Sequence, residues 1–324
     1  MDMLRHPRLQ RHWLILVLLL LACTVPSKGA QSPQDDIFNA SGTGDLTRVK
    51  ALLDSGTDVN AKSPNGGTAL EFAACFDKVE VVRLLLARGA VIDVQDNNGA
   101  SALSLASEKG NLEVVEILLA KGAIVDSKSN DGWTPLMAAS SHGHLDIVKL
   151  LLGKGAEVDS KEGTGATALM KASENGHIEV VRMLLAAKAD VNAKTTDRGD
   201  TALIYAASNN HVDVVTLLLD AKAEIEARMA HGSTALMVAS ENGQLELVKA
   251  LLAKGANVNA RDDMGQTALM LAAYLGHIDV VEALLSKGAN VNVRSDGGGT
   301  ALSAATEKGH ADIISVLTKA GAEQ

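Results

Sequence analysis

The apolar residues of this chain recur in short blocks of fixed length, separated by Gly and by polar loops. Residues 234–260, TALMVASENGQLELVKALLAKGANVNA, show one block in full. Leu236 and Ala239 share one helical face before Gly243, and after it the pairs Leu-Val and Leu-Leu return at helical spacing. The pattern predicts a short helix, a tight turn, a second helix and an extended polar loop.

The block repeats through most of the chain. Its phase is set by a tripeptide, Ser/Thr-Ala/Pro-Leu, which begins at Thr68, Ser101, Thr134, Thr167, Thr201, Thr234, Thr267 and Thr300. The steps are 33 residues, except for one step of 34 between Thr167 and Thr201. A fixed period of this length indicates a solenoid in which each unit buries the face of its neighbour.

Each copy carries its own start and stop signals. A Gly two residues before the tripeptide predicts a tight turn at positive φ, and the Ser or Thr after it predicts a helix N-cap. An acidic residue in the first turn of each second helix suits the helix dipole, and a Gly after that helix predicts its end. Lys188 and Lys222 replace this closing Gly, and the extra residue of the long step falls within 194–200. Two interpretations stay open for this irregular region, tolerated drift in a surface loop or a remodelled finger.

Together these features resemble the ankyrin repeat, over residues 35–324. The motifs that carry the resemblance are G-x-T-x-L, G-H-x-[DE]-V-V and L-L-x-x-G-A-x-V-N. The resemblance implies an all-α repeat fold, an ankyrin solenoid of about nine helix-turn-helix repeats joined by β-hairpin fingers. It further implies a groove lined by fingers and first helices that binds other proteins, without catalytic activity, cofactor or metal.

The sequence departs from the family's Thr-Pro-Leu-His motif. Only Pro135 keeps the Pro, and the His is absent from every copy. Its slot holds Glu71, Ser104, Met137, Met170, Ile204, Met237, Met270 and Ser303. We therefore expect a polar tie between fingers to be missing, with an apolar filler in its place in most copies.

The N-terminal segment follows a different pattern. Arg5, Arg8 and Arg11 precede the apolar run WLILVLLLLA, as in a secretory signal. The apolar run from Trp13 to Val25 is 13 residues long, shorter than the ~18 to 20 that span a bilayer. We predict a signal peptide at 1–22, a polar tether at 23–34 and the repeat domain at 35–324.

Residues 20–23, Leu-Leu-Ala-Cys, resemble the lipobox of bacterial lipoprotein precursors. The resemblance implies cleavage before Cys23, a lipid anchor on that residue, and a periplasmic or membrane-anchored location at the cell envelope. An ordinary signal peptide, cut further on, would give a secreted protein. A disulfide between Cys23 and Cys75 is the other fate open to Cys23 in an oxidising compartment, and the lipobox favours lipidation.

Composition and spacing disfavour a metal site, a catalytic carboxylate pair and nucleic-acid binding. Five His residues occupy one repeat position, too far apart to share a metal ion, and predict local hydrogen bonds at the helix-helix turn. Glu108, Glu174, Glu241 and Glu307 are likewise too far apart for a catalytic pair and predict a solvated acidic stripe. Removing residues 1–22 takes away three Arg and one Asp, so the net charge of -9 becomes -9 - 3 + 1 = -11. This acidic balance excludes nucleic acid as the expected partner.

The expected partner is another protein, bound by a monomeric array, with a groove-based small-molecule or enzymatic role as the alternative. Aromatic residues make up only 2% of the chain, so their positions are informative. Phe38 and Phe72 are expected to pack between repeats. The candidate contact residues on fingers and first helices are Phe76, Trp133, Lys171, Arg198, Tyr205 and Tyr274.

Overall fold

The computed structural model describes residues 33–323, so Cys23, the predicted signal and most of the predicted tether lie outside the described residues. In that range the chain forms eighteen α-helices, arranged as nine pairs. The first helices are α1 (Pro33–Thr43), α3 (Ala69–Cys75), α5 (Ala102–Lys109), α7 (Pro135–Ser141), α9 (Ala168–Glu174), α11 (Ala202–Ser208), α13 (Ala235–Glu241), α15 (Ala268–Leu275) and α17 (Ala301–Lys308). The second helices are α2 (Leu46–Asp54), α4 (Val79–Ala87), α6 (Leu112–Ala120), α8 (Leu145–Gly153), α10 (Ile178–Ala186), α12 (Val212–Asp220), α14 (Leu245–Ala253), α16 (Ile278–Ser286) and α18 (Ala311–Lys319).

The chain divides into two compact units, residues 1–157 and 158–324. Described helices α1 to α8 belong to unit 1, and α9 to α18 belong to unit 2. Within each unit, every first helix packs on the first helix of the next repeat, and every second helix packs on the next second helix. This series of helix pairs confirms the predicted all-α solenoid.

The buried positions are those of the apolar pattern. In α4, Val81, Val82 and Leu85 are buried, and the second Leu of the Leu-Leu pair is half-buried. First helices bury small residues such as Ala73 and Ala74, which let neighbouring backbones approach closely. Full burial of one Val or Leu side chain contributes ~1.5 to 3 kcal/mol, so each repeat gains most of its stability from its neighbours.

Each finger is a tight turn that leads into a first helix. In the finger at 129–133, Ser129 N–H donates to the Trp133 carbonyl at 2.9 Å, and Gly132 N–H donates back to Ser129 at 2.8 Å. Gly132 has φ 84°, and the Thr134 hydroxyl then accepts from Met137 N–H as N-cap of α7. The same cap occurs in the other seven copies with the tripeptide, and the same turn in all of these except the longer finger before Thr201.

The predicted β-hairpins do not become strands. Among the described residues, antiparallel pairing is limited to two isolated bridges, Lys62 with Thr68 and Gln95 with Ser101. The reason is length, because a finger of about five residues has room for the turn and hardly any further residue pairs. The finger at 195–200 holds the extra residue of the long step, since Thr195 N–H donates to the Asp200 carbonyl across five positions.

Backbone hydrogen bonds connect one finger to the next. In unit 1, Asn97 N–H donates to the Asn65 carbonyl and Asn130 N–H to the Asn98 carbonyl, both at 2.9 Å. In unit 2, the donor–acceptor pairs are Thr196 to Thr164, Ala230 to Arg198, Asp263 to His231 and Asp296 to Met264. The fingers within each unit are therefore held together by backbone groups even though the motif's His is absent.

Side chains in the polar loops form a second connection. Asn259 Oδ1 accepts from Asn290 N–H at 2.8 Å, and Asn259 Nδ2 donates to the Gly288 carbonyl at 3.3 Å. Asn60, Asn192 and Asn292 make the same pair of bonds to the following repeat. Where Asp takes this position, as Asp93 does, its carboxylate accepts the backbone N–H of the next repeat but has no N–H to donate. Each Asn copy therefore makes one more hydrogen bond to the next repeat than an Asp copy does.

The recurring His residues connect repeats at the helix-helix turn. His144 Nε2 lies 2.8 Å from the Glu108 carbonyl oxygen, and a Cβ placed on Gly110 would stand 2.6 Å from the His144 ring. His211, His277 and His310 bond to the preceding repeat in the same way. The predicted hydrogen bonds at this turn are confirmed, with the partner in the preceding copy.

The predicted acidic stripe is only partly solvated. Glu241 and Glu307 are exposed and Glu174 is half-buried, but Glu108 is buried and its Oε1 pairs with Lys109 Nζ at 2.7 Å. The expectation of an exposed position was wrong for Glu108, whose carboxylate pairs with Lys109 and whose carbonyl is bonded by His144 of the next repeat.

Glu71 places a carboxyl group where the other first helices have Met, Ile or Ser. Its side chain is 3% exposed, and Oε2 accepts the Thr68 N–H at 2.6 Å, which completes a capping box. Its other carboxyl oxygen, Oε1, has no hydrogen-bond partner. The pKa of Glu71 is raised to about 8, chiefly by burial and in addition by Asp96, while the Thr68 hydrogen bonds and Lys62 act to lower it. Folding therefore favours the protonated acid.

Glu71 should make the stability of unit 1 fall as pH rises. The folded pKa lies above the unfolded value of 4.5, so the stabilisation is complete below pH ~4.5 and is lost as pH rises through about 8. The Glu71→Gln variant should lose this dependence and exceed the wild type by a few kcal/mol at pH 8.5. Urea unfolding at pH 5.5 and 8.5 measures this, with exposed Glu241→Gln as the control. An identical pH profile for wild type and Glu71→Gln would contradict it.

Lys188 and Lys222 take up the left-handed conformation of the Gly they replace. Their φ values are 66° and 71°. A non-Gly residue in this region costs about 1 kcal/mol, so Lys188→Gly and Lys222→Gly should each raise the free energy of unfolding by up to that amount. Lys154→Gly is the matched control, because Lys154 caps α8 at φ -94° and gains nothing from Gly. Urea unfolding that shows no gain at either position would refute the expectation.

Candidate partner-binding surface

The candidate surface in each unit consists of the fingers and the exposed side of the first helices. Two positions define it on the helices, the fourth and the seventh residue after the capping Ser or Thr. Tyr205, for example, follows Thr201 by four, and Tyr274 follows Thr267 by seven. The repeat period brings equivalent residues of adjacent copies into neighbouring places.

In unit 1, the aromatic residues divide between core and surface. Phe38 and Phe72 are buried, with ring centroids 5.7 Å apart, which confirms their predicted packing between repeats. Phe76 follows the end of α3 and is half-buried. Trp133 is half-buried and closes its finger opposite Ser129, whose Oγ accepts the Trp133 N–H at 3.0 Å. Asn130 and Asp131 form the tip of that finger, so Trp133 stands beside the tip.

Cys75 occupies the seventh position of α3. It is buried. The sequence contains two Cys in all. A disulfide between Cys23 and Cys75 and a thioether lipid on Cys23 exclude each other, because both use the Cys23 sulfur, and both stay predictions.

In unit 2, Tyr205 lies on α11 in an acidic environment. Its side chain is half-buried, and burial raises the pKa of its hydroxyl. The charges of Glu174, Asp200, Asp197 and Glu162 raise the pKa further, in that order. The hydroxyl therefore lies in a negative potential produced by two adjacent fingers and the preceding first helix.

The two predicted cationic contact residues lie in the same part of unit 2. Arg198 is half-buried in the long finger, and its Nε lies 3.8 Å from Asp200 Oδ2, whose residue is buried. Lys171 precedes Tyr205 by one repeat at the same helical position, is half-buried and has a contact of its own. The structure thus brings Lys171, Arg198 and Tyr205 into one region.

Tyr274 lies two repeats further along unit 2. Its side chain is 39% exposed, and Lys308 Nζ lies 4.3 Å from its ring centroid, within the range of a cation–π contact. The adjacent Leu275 is also exposed. Sequence reasoning passed over Leu275 and the finger carboxylates Glu162, Asp197 and Asp200, although their repeat positions could have identified them.

Other kinds of site find little support in the described part of the chain. No three His, Cys, Asp or Glu side chains within it are grouped so that they could hold a metal ion. A cleft of about 410 Å³ lies on second helices α6 and α8, away from the candidate surface. The helices between residues 33 and 323 are all too short or too polar to cross a membrane.

Comparison with known proteins agrees with the architecture. A search of curated proteins finds no match. The family model described as ankyrin repeats (3 copies) matches residues 37–129, 123–195, 187–262 and 261–324. Ankyrin repeats are generally protein-protein interaction modules and are typically not enzymes. Because these matches together cover almost all of the described residues, the chain belongs to the ankyrin-repeat family.

Proposed function

We propose that this protein is a non-enzymatic scaffold or regulator that is exported and binds another protein in the periplasm or at the cell envelope. The observation that carries the proposal is the placement of aromatic side chains. Of the six in the described residues, only Phe38 and Phe72 are buried. Phe76, Trp133, Tyr205 and Tyr274 stay half-buried or exposed on fingers and first helices, and aromatic residues dominate binding energy at protein interfaces.

The outer face of α18 supports action as a monomer. A solenoid needs terminal repeats with a polar outer face, because no further copy covers them. In α18, Asp312, Ser315, Thr318 and Lys319 are exposed, and only Ile313 and Leu317 of that helix are buried. This surface offers little apolar area to a second copy of the chain.

Export and anchoring rest on the sequence before residue 33. The Arg-rich start followed by a 13-residue apolar run supports a signal peptide, and Leu-Leu-Ala-Cys supports a lipid on Cys23. A thioether-linked lipid would hold the protein at the envelope surface and leave the repeats outside the bilayer. Ordinary signal cleavage would release the same repeats as a secreted protein.

Truncation of Trp133 should weaken partner binding. The partner is obtained by crosslinking in the native cell and is then purified. Trp133→Ala should reduce its affinity by about 1 kcal/mol or more, roughly fivefold, because a rigid aromatic surface is lost. Val91→Ala is the control, since Val91 is 55% exposed but lies outside fingers and first helices. Titration calorimetry that gives equal affinities for wild type and Trp133→Ala would place the interface elsewhere.

Radiolabelled fatty acid should enter the wild type and Cys75→Ala but not Cys23→Ala. Labelling follows the lipid anchor on Cys23, because lipidation attaches to the sulfur of the new N-terminal Cys. Mass spectrometry of the mature N-terminus separates this outcome from a disulfide, which a reductant releases. Equal labelling of Cys23→Ala, or a mature N-terminus beyond residue 23, would overturn the lipid anchor.

A further inference from the structure

We propose that the partner presents a basic, partly apolar segment to the first helices of unit 2, with an Arg or Lys side chain placed on the Tyr205 ring. This inference rests on the proposed function, because it specifies the chemistry of the protein bound there. It concerns the surface of α11, α13 and α15 together with the fingers before them.

The first element is an apolar row on three packed helices. Tyr205, Val238 and Leu271 each follow their capping Thr by four residues. Helices α11, α13 and α15 pack on one another in sequence, so these side chains line up across unit 2. Tyr205 and Leu271 are half-buried, and Val238 is 8% exposed. A partner can therefore reach the Tyr205 and Leu271 side chains, which the core does not enclose.

The second element is the charge at one end of this row. The potential of Glu162, Glu174, Asp197 and Asp200 raises the pKa of the Tyr205 hydroxyl. Cations of the same elements are engaged: Arg198 lies 3.8 Å from Asp200, Lys194 lies 3.8 Å from Glu224, and Lys171 has a contact of its own. The four carboxylates all act on the Tyr205 hydroxyl in the same direction, so this end of the row is acidic. Exposed Glu241 on α13 and Asp263 in the next finger but one continue the acidic border.

The apolar row and the acidic charge together indicate which kind of partner segment binds here. An anionic peptide or a nucleic acid would be repelled by the carboxylates. A partner segment with Arg or Lys beside apolar residues matches both features, because guanidinium and ammonium groups are attracted to the face of Tyr and to carboxylates. Carboxylates at the edge of an interface speed association with a positively charged partner and disfavour a negatively charged one. Because salt screens these charges, binding should weaken as the salt concentration rises.

The experiment uses the full mature chain and two fluorescein-labelled 12-residue peptides, one alternating Arg with Leu and one alternating Glu with Leu. Fluorescence anisotropy should show binding of the Arg peptide at least tenfold tighter than that of the Glu peptide at 50 mM NaCl. Raising NaCl to 300 mM should weaken the Arg peptide several-fold. Equal binding of the two peptides would overturn the inference.

Variants locate the binding on the chain. Glu174→Lys combined with Asp197→Lys should weaken the Arg peptide at least tenfold, and Tyr205→Ala at least fivefold, whereas Tyr205→Phe keeps the ring and should stay within twofold. Glu307→Lys is the matched control, because Glu307 occupies the same repeat position as Glu174 in the last repeat. The inference would be overturned if the double variant lost no more affinity for the Arg peptide than Glu307→Lys does. Circular dichroism checks that both variants are folded.

Binding of the native partner by the variants tests the basic-segment inference separately from the proposed scaffold function. A captured partner whose binding falls with Trp133→Ala but not with the double variant would refute the basic segment and leave the scaffold role intact. A mature chain that binds no protein in the cell would refute the scaffold role itself. Loss of the native partner in the double variant, with Glu307→Lys unaffected, would support both.

Discussion

The structure depends on apolar contact between adjacent repeats. A helix pair of about twenty residues has too small an interior to be stable alone, because its Val and Leu side chains lie on faces that a neighbour must cover. Val81, Val82 and Leu85 reach full burial only with such neighbours. Fingers and loops follow from this stacking, since each is held where two adjacent helix pairs place its ends.

Polar connections fix the spacing of the stack. Three sets of hydrogen bonds join each repeat to its neighbour. They are made by the finger backbones, by the Asn residues of the polar loops and by the His residues of the helix-helix turns. None of these bonds closes within its own repeat, so the polar contacts repeat with the same period as the apolar ones. The exposed side chains of the fingers and first helices vary from copy to copy, and the candidate contact residues are among them.

Much of this fold could be predicted from sequence because its signals are local and repeated. The Gly before each tripeptide, the capping Thr and the spacing of Val and Leu act over a few residues, and eight copies reinforce one another. The short extent of the fingers could not be predicted, because it depends on backbone pairing, which turn residues alone do not show. The burial of Glu71 and Glu108 depends on how closely the next repeat covers them. The potential at Tyr205 sums over residues up to 43 positions earlier, from Glu162, and only the fold brings them near.

The contact between a turn His and the Gly of the preceding copy restricts the order in which repeats can follow one another. Gly110, Gly176, Gly243 and Gly276 leave no Cβ, and in each case a His ring occupies the space in the next repeat. Asp77 and Asn210 carry a Cβ at the equivalent turn, and the next repeat there has an amide, Asn111 and Gln244 respectively. Ring and Cβ exclude each other sterically, so each repeat's turn residue limits what its successor can present. A recombined array would have to respect this matching at every junction, as a set of compatible neighbours rather than interchangeable modules.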